Sequence, residues 1–132
     1  MQLTMFTDYA LRSLIFIASH PDKLSSVREI SEHYHISRNH LVKVIHKLAQ
    51  LGYITTTKGK GGGIAMSSVP KQLRLGDLVQ KLEPSMDLVE CFNKETNTCR
   101  VIKTCKLKHC LLEANMIFIQ TLNKYTLADI IE

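Results

Sequence analysis

The sequence predicts a mainly α-helical fold with a small β-hairpin, arranged as a winged helix-turn-helix followed by a long C-terminal helix. Three observations predict it. Apolar residues recur at helical spacing before Gly52, two short β-rich segments flank the stretch KGKGGG at residues 58–63, and a long apolar stripe begins after Cys105. Helices followed by such a hairpin are typical of a winged helix-turn-helix.

Two capped helices open the chain. The apolar residues of the first fall on one helical face: Leu11, Leu14, Ile15 and Ala18. Thr4 or Thr7 can cap this helix, because a hydroxyl oxygen accepts a hydrogen bond from a first-turn amide. In the second helix, Ser26 and Glu29 have the S-x-x-E spacing of a capping box.

The third helix follows the second after a short turn, as in a helix-turn-helix. Its expected core stripe consists of Leu41, Val44, Ile45 and Leu48. Ser37 can cap this helix and Gly52 ends it. The segments YITTT and IAMSS are typical of strands, and KGKGGG between them forms the tip of a basic wing.

The C-terminal part begins with LGDLVQKLE, which predicts a short helix. Residues 84–104 have no clear period. From Cys105 the chain becomes helical again, with a wide apolar stripe: Leu107, Leu111, Leu112, Ala114, Met116, Phe118, Ile119 and Leu122. Thr126 and Asp129 occupy capping positions of a short closing helix.

The long helix carries more apolar surface than one packing seam needs. It packs either on its own domain or on the same helix of a second copy. A homodimer is favoured, because winged-helix regulators commonly bind two half-sites.

The net charge of +5 is distributed unevenly. No acidic residue occurs between Glu32 and Asp77. The same stretch holds seven lysines and arginines: Arg38, Lys43, Lys47, Lys58, Lys60, Lys71 and Arg74. A one-signed stretch is often only a solvated face, but over this length it favours an anionic partner, with double-stranded DNA the first candidate.

The residues expected to contact DNA lie on the outer face of the third helix and on the wing: Ser37, Arg38, Asn39, His40, Lys43, Lys47, Lys58 and Lys60. Asn39 and Arg38 suit base edges, since Asn pairs bidentately with adenine and Arg with guanine. Lys43 and Lys47 suit phosphate. For each residue alone, an ordinary polar surface is the alternative. A nucleotide cradle at KGKGGG is disfavoured, because the phosphate-loop pattern is absent.

These features predict three segments: a winged helix-turn-helix DNA-binding domain over residues 1–83, a cysteine-bearing loop over 84–104, and a dimerisation helix with a short closing helix over 105–132. No apolar run approaches the roughly 18 residues of a membrane span, and an acid precedes the first apolar run, so a membrane protein or a signal peptide is disfavoured. We expect a cytoplasmic protein. It is not expected to be an enzyme, because no catalytic triad or paired-carboxylate site is apparent.

All four cysteines lie in CFNKETNTCRVIKTCKLKHC, residues 91–110. Structural disulfides are rare in the cytoplasm, so clustered cysteines favour metal or redox chemistry. No gap has the short C-x2-C spacing of zinc sites, whereas iron–sulfur clusters accept thiolates from separate turns. Five cationic residues and one acid lie between the first and last cysteine, and positive charge stabilises thiolates. The stretch therefore predicts an iron–sulfur cluster, of the 4Fe–4S or the 2Fe–2S type.

The ligand set is less determined by the residues alone. Cys110 lies part-way round the last helix from Cys105, near the apolar stripe, and we assign it to core packing rather than ligation. The remaining three cysteines leave a cluster one ligand short. His109, on the same helical face as Cys105, is one candidate for the fourth ligand, and an acid from elsewhere is another.

Several segments together resemble the NsrR family of nitric-oxide-sensing transcriptional repressors, relatives of the iron–sulfur regulator IscR. They are the opening MQLTMFTDYALRSL, the helix SRNHLVKVIHKLAQLGYI, the wing GKGGGI, and LGDLVQKLEP followed by three spaced cysteines. The similarity covers nearly the whole chain, including the closing YTLADIIE. A winged helix alone is weakly specific, but together with the cysteines the match is strongly specific.

The resemblance implies a homodimer that binds a palindromic DNA operator while an iron–sulfur cluster is present and releases it when nitric oxide attacks the cluster. It also implies that Cys91, Cys99 and Cys105 bind the cluster. Asp8, in FTDYALR, would supply the fourth ligand from the partner subunit.

Two positions depart from the related patterns. Lys108 stands where IscR has a histidine ligand, which argues against the IscR ligand set. Cys110 is an additional cysteine and is therefore an alternative ligand or a redox partner. Two other functions stay open: an iron–sulfur or thiol redox regulator of the IscR type not specific for nitric oxide, and a metal-independent interaction protein or thiol switch with a winged helix.

Overall fold

The structure, a computed structural model, describes residues 1–131. Glu132, the last residue of the predicted 105–132 segment, lies outside the described residues. The described chain forms helices and a two-stranded sheet in this order: α1 Met5–Ala18, α2 Val27–Tyr34, α3 Arg38–Gln50, β1 Ile54–Thr57, β2 Gly63–Met66, α4 Leu75–Leu82 and α5 Lys106–Leu122. Short 3-10 turns occupy Pro70–Gln72, Glu90–Phe92 and Leu127–Asp129. The predicted mainly α fold with a β-hairpin is confirmed.

The predicted caps are confirmed in part. The Thr4 hydroxyl accepts a hydrogen bond from the Thr7 amide at 3.2 Å, so Thr4 caps α1. The Ser26 hydroxyl accepts from the Glu29 amide at 3.1 Å, which is one half of the predicted capping box. Ser37 precedes α3 but makes no side-chain cap hydrogen bond, which leaves its hydroxyl available on the outer surface.

The core sits among α1, α2, α3 and the sheet. All four residues of the predicted α3 stripe are buried: Leu41, Val44, Ile45 and Leu48. The predicted burial of the α1 stripe is confirmed for Leu14 and Ala18, whereas Leu11 and Ile15 are only partly buried. Ala10 and Ile17 take the buried positions instead, because α1 contacts both α3 and β2 and therefore buries a wider face than one stripe.

The wing is an antiparallel hairpin, as predicted. β1 and β2 pair from Ile54 with Met66 to Thr57 with Gly63. Ser25 extends the sheet by exchanging backbone hydrogen bonds of 2.8 and 2.7 Å with Ile64. The wing is thereby fixed to the chain that enters α2.

The C-terminal segment, residues 125–127, returns to the chain just before α4. The Leu75 amide donates to the Tyr125 carbonyl at 3.0 Å, and the Leu127 amide donates to the Leu73 carbonyl at 2.8 Å. Leu127 is fully buried in the core. Thr126 and Asp129 form the predicted capping box, around a 3-10 turn rather than a full helix.

Helix α5 packs on α4 but buries none of its own residues. Its exposed apolar side chains include Leu107 at 64%, Met116 at 59% and Ile117 at 51% exposure. The apolar stripe is therefore only partly covered by its own domain. Within residues 1–131, α5 and the other helices all lack the combination of length and apolar character that crossing a membrane requires.

Candidate nucleic-acid interface and metal centre

Helix α3 presents a mostly polar face to solvent, on which Val42 is the exposed apolar residue at 56% exposure. Its buried stripe fixes which side points outward, and the outward residues are exposed: Ser37, Arg38, Asn39, His40, Lys43 and His46. Lys47, in the last turn, is half-buried. The predicted base-contacting and phosphate-contacting residues of α3 thus lie together on the side opposite the core.

One carboxylate borders this face. The Arg38 Nη2 atom lies 3.9 Å from Glu32 Oε1, and Arg28 Nε donates to the same oxygen at 2.8 Å. The hydrogen bond from Arg28, and then its charge, hold the pKa of Glu32 below its ordinary value. Glu32 is therefore a fixed negative charge beside Arg38.

His40 is exposed, and its ring also contacts Tyr9 on α1. Its centroid lies 6.2 Å from that of Tyr9 on α1. His40 and Lys43 line a shallow cavity between α1 and α3 together with Met5 and Phe6. The first turn of α3 is thus in contact with the N-terminal half of α1.

Lys58 and Lys60 are exposed at the tip of the wing. Gly59 and Gly61 adopt positive φ angles of 89° and 79°, which L-residues with side chains rarely adopt. A Cβ on Gly62 would collide with the Thr57 carbonyl. The glycines are therefore needed to form the turn itself, in addition to any close approach to DNA.

The predicted ligand cysteines are unpaired and half-buried. Cys91 lies in the 3-10 turn Glu90–Phe92. The Cys99 amide donates to Asn97 Oδ1 at 3.0 Å. Cys105 is the N-cap of α5, and its Sγ accepts a hydrogen bond from the Lys108 amide at 3.4 Å. The prediction that Cys105 begins the last helix is confirmed.

The donor set suits an iron–sulfur cluster in chemistry but is not assembled within one chain. Among residues 1–131, no three or more His, Cys, Asp or Glu side chains form a group that could hold a metal ion. The thiols are free, partly accessible and flanked by cations, and Cys105 lies at a helix N-terminus, where negative charge is favoured. A cluster held by these thiols would couple metal binding to the conformation of the loop.

Asp8 lies in the first turn of α1 and is already paired. Arg12 Nε donates to Asp8 Oδ1 at 3.1 Å, and Arg12 Nη2 lies 2.7 Å from Asp8 Oδ2. The Arg12 guanidinium carbon also lies 5.9 Å from the centre of the Tyr34 ring, at the end of α2. Sequence reasoning missed this contact with Tyr34, since it joins two helices whose relative placement no local pattern encodes.

The assignment of Cys110 to core packing is wrong for the single chain. Cys110 is exposed on α5, as are Leu107 and His109 before it. The Cys110 and His109 side chains are accessible from solvent or from a second copy.

Comparison with known proteins gives a consistent result. The family model Rrf2, described as an iron-dependent transcriptional regulator, matches residues 3–132. The HTH-type transcriptional regulator NsrR of Bacillus subtilis (strain 168) is 46% identical over 133 residues, covering 100% of this chain and 91% of that protein. NsrR of Shouchella clausii (strain KSM-K16) is 47% identical over 132 residues, covering 99% of this chain and 89% of that one.

Solved structures share the fold at lower identity. T. potens IscR superposes with a TM-score of 0.77 at 20% identity, covering 98% of this chain and 85% of that chain. CymR, described as the global cysteine regulator of B. subtilis, superposes with a TM-score of 0.76 at 21% identity, covering 98% and 95%. These likenesses establish the winged-helix fold.

Proposed function

This chain belongs to the Rrf2 family of transcriptional regulators, in its NsrR group, and we propose that it responds to nitric oxide through an iron–sulfur cluster. It is a DNA-binding transcriptional repressor, and it is not an enzyme. We expect it to act in the cytoplasm as a homodimer on a palindromic operator. The division into residues 1–83, 84–104 and 105–132 stays a prediction.

One observation carries the proposal: the free thiols lie on the segment that joins the DNA-binding half to α5. Cys91 and Cys99 lie between α4 and α5, and Cys105 is the N-cap residue of α5. A group that fixes these thiols also fixes the direction in which the chain enters α5. Sensing and DNA binding are therefore connected through one short segment.

The exposed apolar residues of α5, which lie on more than one side of the helix, support a dimer. Leu107, Met116 and Ile117 are each more than half exposed on this helix. Because these side chains are already partly covered, burying the rest of each stabilises an assembly by roughly 1 kcal/mol. A second copy of α5 presents the same residues and is the natural partner for a self-complementary contact. Two α3 faces would then be available for two half-sites.

Cys91, Cys99 and Cys105 would supply three thiolates, and Asp8 of the second copy the fourth ligand. When bound, the cluster offers nitric oxide an iron centre. Asp8 must first exchange its contact with Arg12 for the new one. An exposed i,i+4 ion pair stabilises a helix by only about 0.3–0.5 kcal/mol, so this exchange costs little.

The proposal is tested on protein purified without oxygen. We expect a coloured dimer with iron and sulfide, which binds a palindromic duplex selected from a random pool and releases it after nitric oxide is added. A colourless protein that binds the duplex equally with and without nitric oxide would contradict the proposal. Release by air or superoxide, but not by nitric oxide, would instead support a redox regulator of the IscR type.

A further inference from the structure

We infer that Asn123 is a positioning residue for operator binding: it joins the end of α5 to the start of α4 and so sets the angle between the DNA-binding half and the dimer helix. The inference assumes one part of the proposed function, namely that two copies of the chain dimerise through α5.

The side chain of Asn123 makes a reciprocal contact with Asp77. Asn123 Oδ1 accepts a hydrogen bond from the Asp77 amide at 3.0 Å, and Asn123 Nδ2 donates to Asp77 Oδ1 at 3.1 Å. Asn123 is the C-cap of α5, and Asp77 lies in the first turn of α4. Arg74, the N-cap of α4, makes no side-chain cap hydrogen bond. Asn123 therefore satisfies a first-turn amide that α4's own N-cap leaves unbonded.

Gly76 brings the two backbones into direct contact beside this pair. Gly76 is buried, and a Cβ there would lie 2.6 Å from the Ile119 carbonyl oxygen and would also overlap Asn123 Oδ1. The Ile119 carbonyl belongs to the α5 backbone, so it cannot move aside by changing a rotamer. Any side chain at residue 76 has to displace α5 relative to α4.

The contact between Asn123 and Asp77, here called the Asn123 joint, is held in place by neighbouring contacts. Residues 73–75 and 125–127 exchange backbone hydrogen bonds, and Leu127 is fully buried in the core of the DNA-binding half. The opposite end of α5, which bears Cys105, carries the exposed Leu107. A displacement of α5 near Cys105 therefore reaches the DNA-binding half by a second route, through the contact of Asn123 with Asp77, in addition to the segment that bears the cysteines.

Four variants test the joint in full-length, cluster-loaded protein. Asn123→Ala removes the reciprocal contact, and Gly76→Ala forces the helices apart. Asp77→Asn is the conservative variant, because its side-chain oxygen still accepts from Asn123, whereas Asp77→Ala loses that acceptor. Gln120→Ala, exposed on the last turn of α5, is the matched control.

The measurement is the ratio of Kd values for a scrambled duplex and for the palindromic duplex selected by the wild-type protein. Sedimentation, the visible spectrum and the melting temperature are recorded beside it. We expect Asn123→Ala, Gly76→Ala and Asp77→Ala to lower this ratio about three- to thirtyfold, with dimer mass, spectrum and scrambled-duplex Kd unchanged. Asp77→Asn and Gln120→Ala should keep the wild-type ratio.

An Asn123→Ala dimer with the wild-type ratio would overturn the inference, and so would an equal loss in Gln120→Ala. If Gly76→Ala does not fold, Asn123→Ala and the two Asp77 variants still decide the question, because they remove no buried group. Failure of the proposed function has a different signature: the wild-type dimer lacks visible absorption. The same variants are then compared without a cluster, and Asn123→Ala should still lower the ratio.

Discussion

Arg12 holds both carboxylate oxygens of Asp8, with Nε 3.1 Å from Oδ1 and Nη2 2.7 Å from Oδ2. Both side chains remain nearly half exposed. The same guanidinium lies over Tyr34, the last residue of α2. Asp8 is thus a carboxylate in a weak, accessible ion pair, one turn from a residue that contacts the helix-turn-helix.

Replacing Asp8 by Ala should leave the fold intact, because a first-turn acid stabilises its helix by only about 0.3–1 kcal/mol. We expect the variant to assemble a cluster through its cysteines, with an altered visible spectrum and a different rate of reaction with nitric oxide. The matched control is His109→Ala, which should change neither. Wild-type behaviour of Asp8→Ala beside an altered His109→Ala would transfer the fourth-ligand role to His109.

Three of the four cysteines should be required for cluster binding, and the fourth should not. Ala at Cys91, Cys99 or Cys105 should abolish visible absorption and specific DNA binding together, because a cluster that lacks one thiolate is labile. Ala at Cys110, which is exposed on α5, should preserve both in anaerobically purified protein. A colourless Cys110→Ala variant would make Cys110 a ligand.

Local patterns predicted the helices and the hairpin of the winged helix well. The spacing of Leu41 and Leu48 and the position of Gly52 specify α3 without reference to any other element. Long-range relationships were not predictable: the pairing of Asn123 with Asp77 joins residues 46 positions apart, and periodicity carries no information about it. What covers α5 was not predictable for a related reason, since its apolar stripe does not say whether its own domain or a second copy packs on it.

The outer face of α3 and the wing should contribute to DNA binding in different ways. Lys58→Ala or Lys60→Ala should weaken binding to all sequences alike and reduce the slope of log K against log salt by roughly one unit per lost phosphate contact. Asn39→Ala should instead cost about 1–3 kcal/mol of discrimination at one base pair. Gel shifts over a salt series would measure both effects.

Lys71→Ala provides the control for this series. Lys71 is exposed and lies in the same acid-free stretch, but it belongs to the turn Pro70–Gln72 rather than to the wing or α3. We expect the slope of log K against log salt for Lys71→Ala to equal that of the wild-type protein. Wild-type operator binding by Asn39→Ala, Lys58→Ala and Lys60→Ala alike would show that the DNA face is elsewhere.

Replacing two buried serines by Ala should change the free energy of unfolding differently. Ser13 donates to the Tyr9 carbonyl at 2.7 Å, whereas the Ser25 hydroxyl has no hydrogen-bond partner among the described residues. Ser13→Ala should lower the free energy of unfolding by about 0.5–1.5 kcal/mol, and Ser25→Ala should leave it unchanged or raise it. Denaturant titration of both variants would decide, and a larger loss in Ser25→Ala would indicate an additional bond to its hydroxyl.

The negative charge of Glu32 should weaken DNA binding, because it partly offsets the positive charge of Arg38. Its Oε1 lies 3.9 Å from Arg38 Nη2, and the hydrogen bond from Arg28 lowers the pKa of Glu32. The carboxylate therefore stays ionised as pH falls towards the ordinary glutamate range. Glu32→Gln should tighten binding to operator and scrambled duplex alike, by about two- to fivefold at low salt, and the gain should fade as salt rises.

Glu113→Gln makes the same charge change on the exposed surface of α5, far from the predicted DNA face along the chain. Comparing the two variants separates the local effect at Arg38 from the change in net charge. Equal affinities for Glu32→Gln and Glu113→Gln would mean that Arg38 does not lie at the DNA.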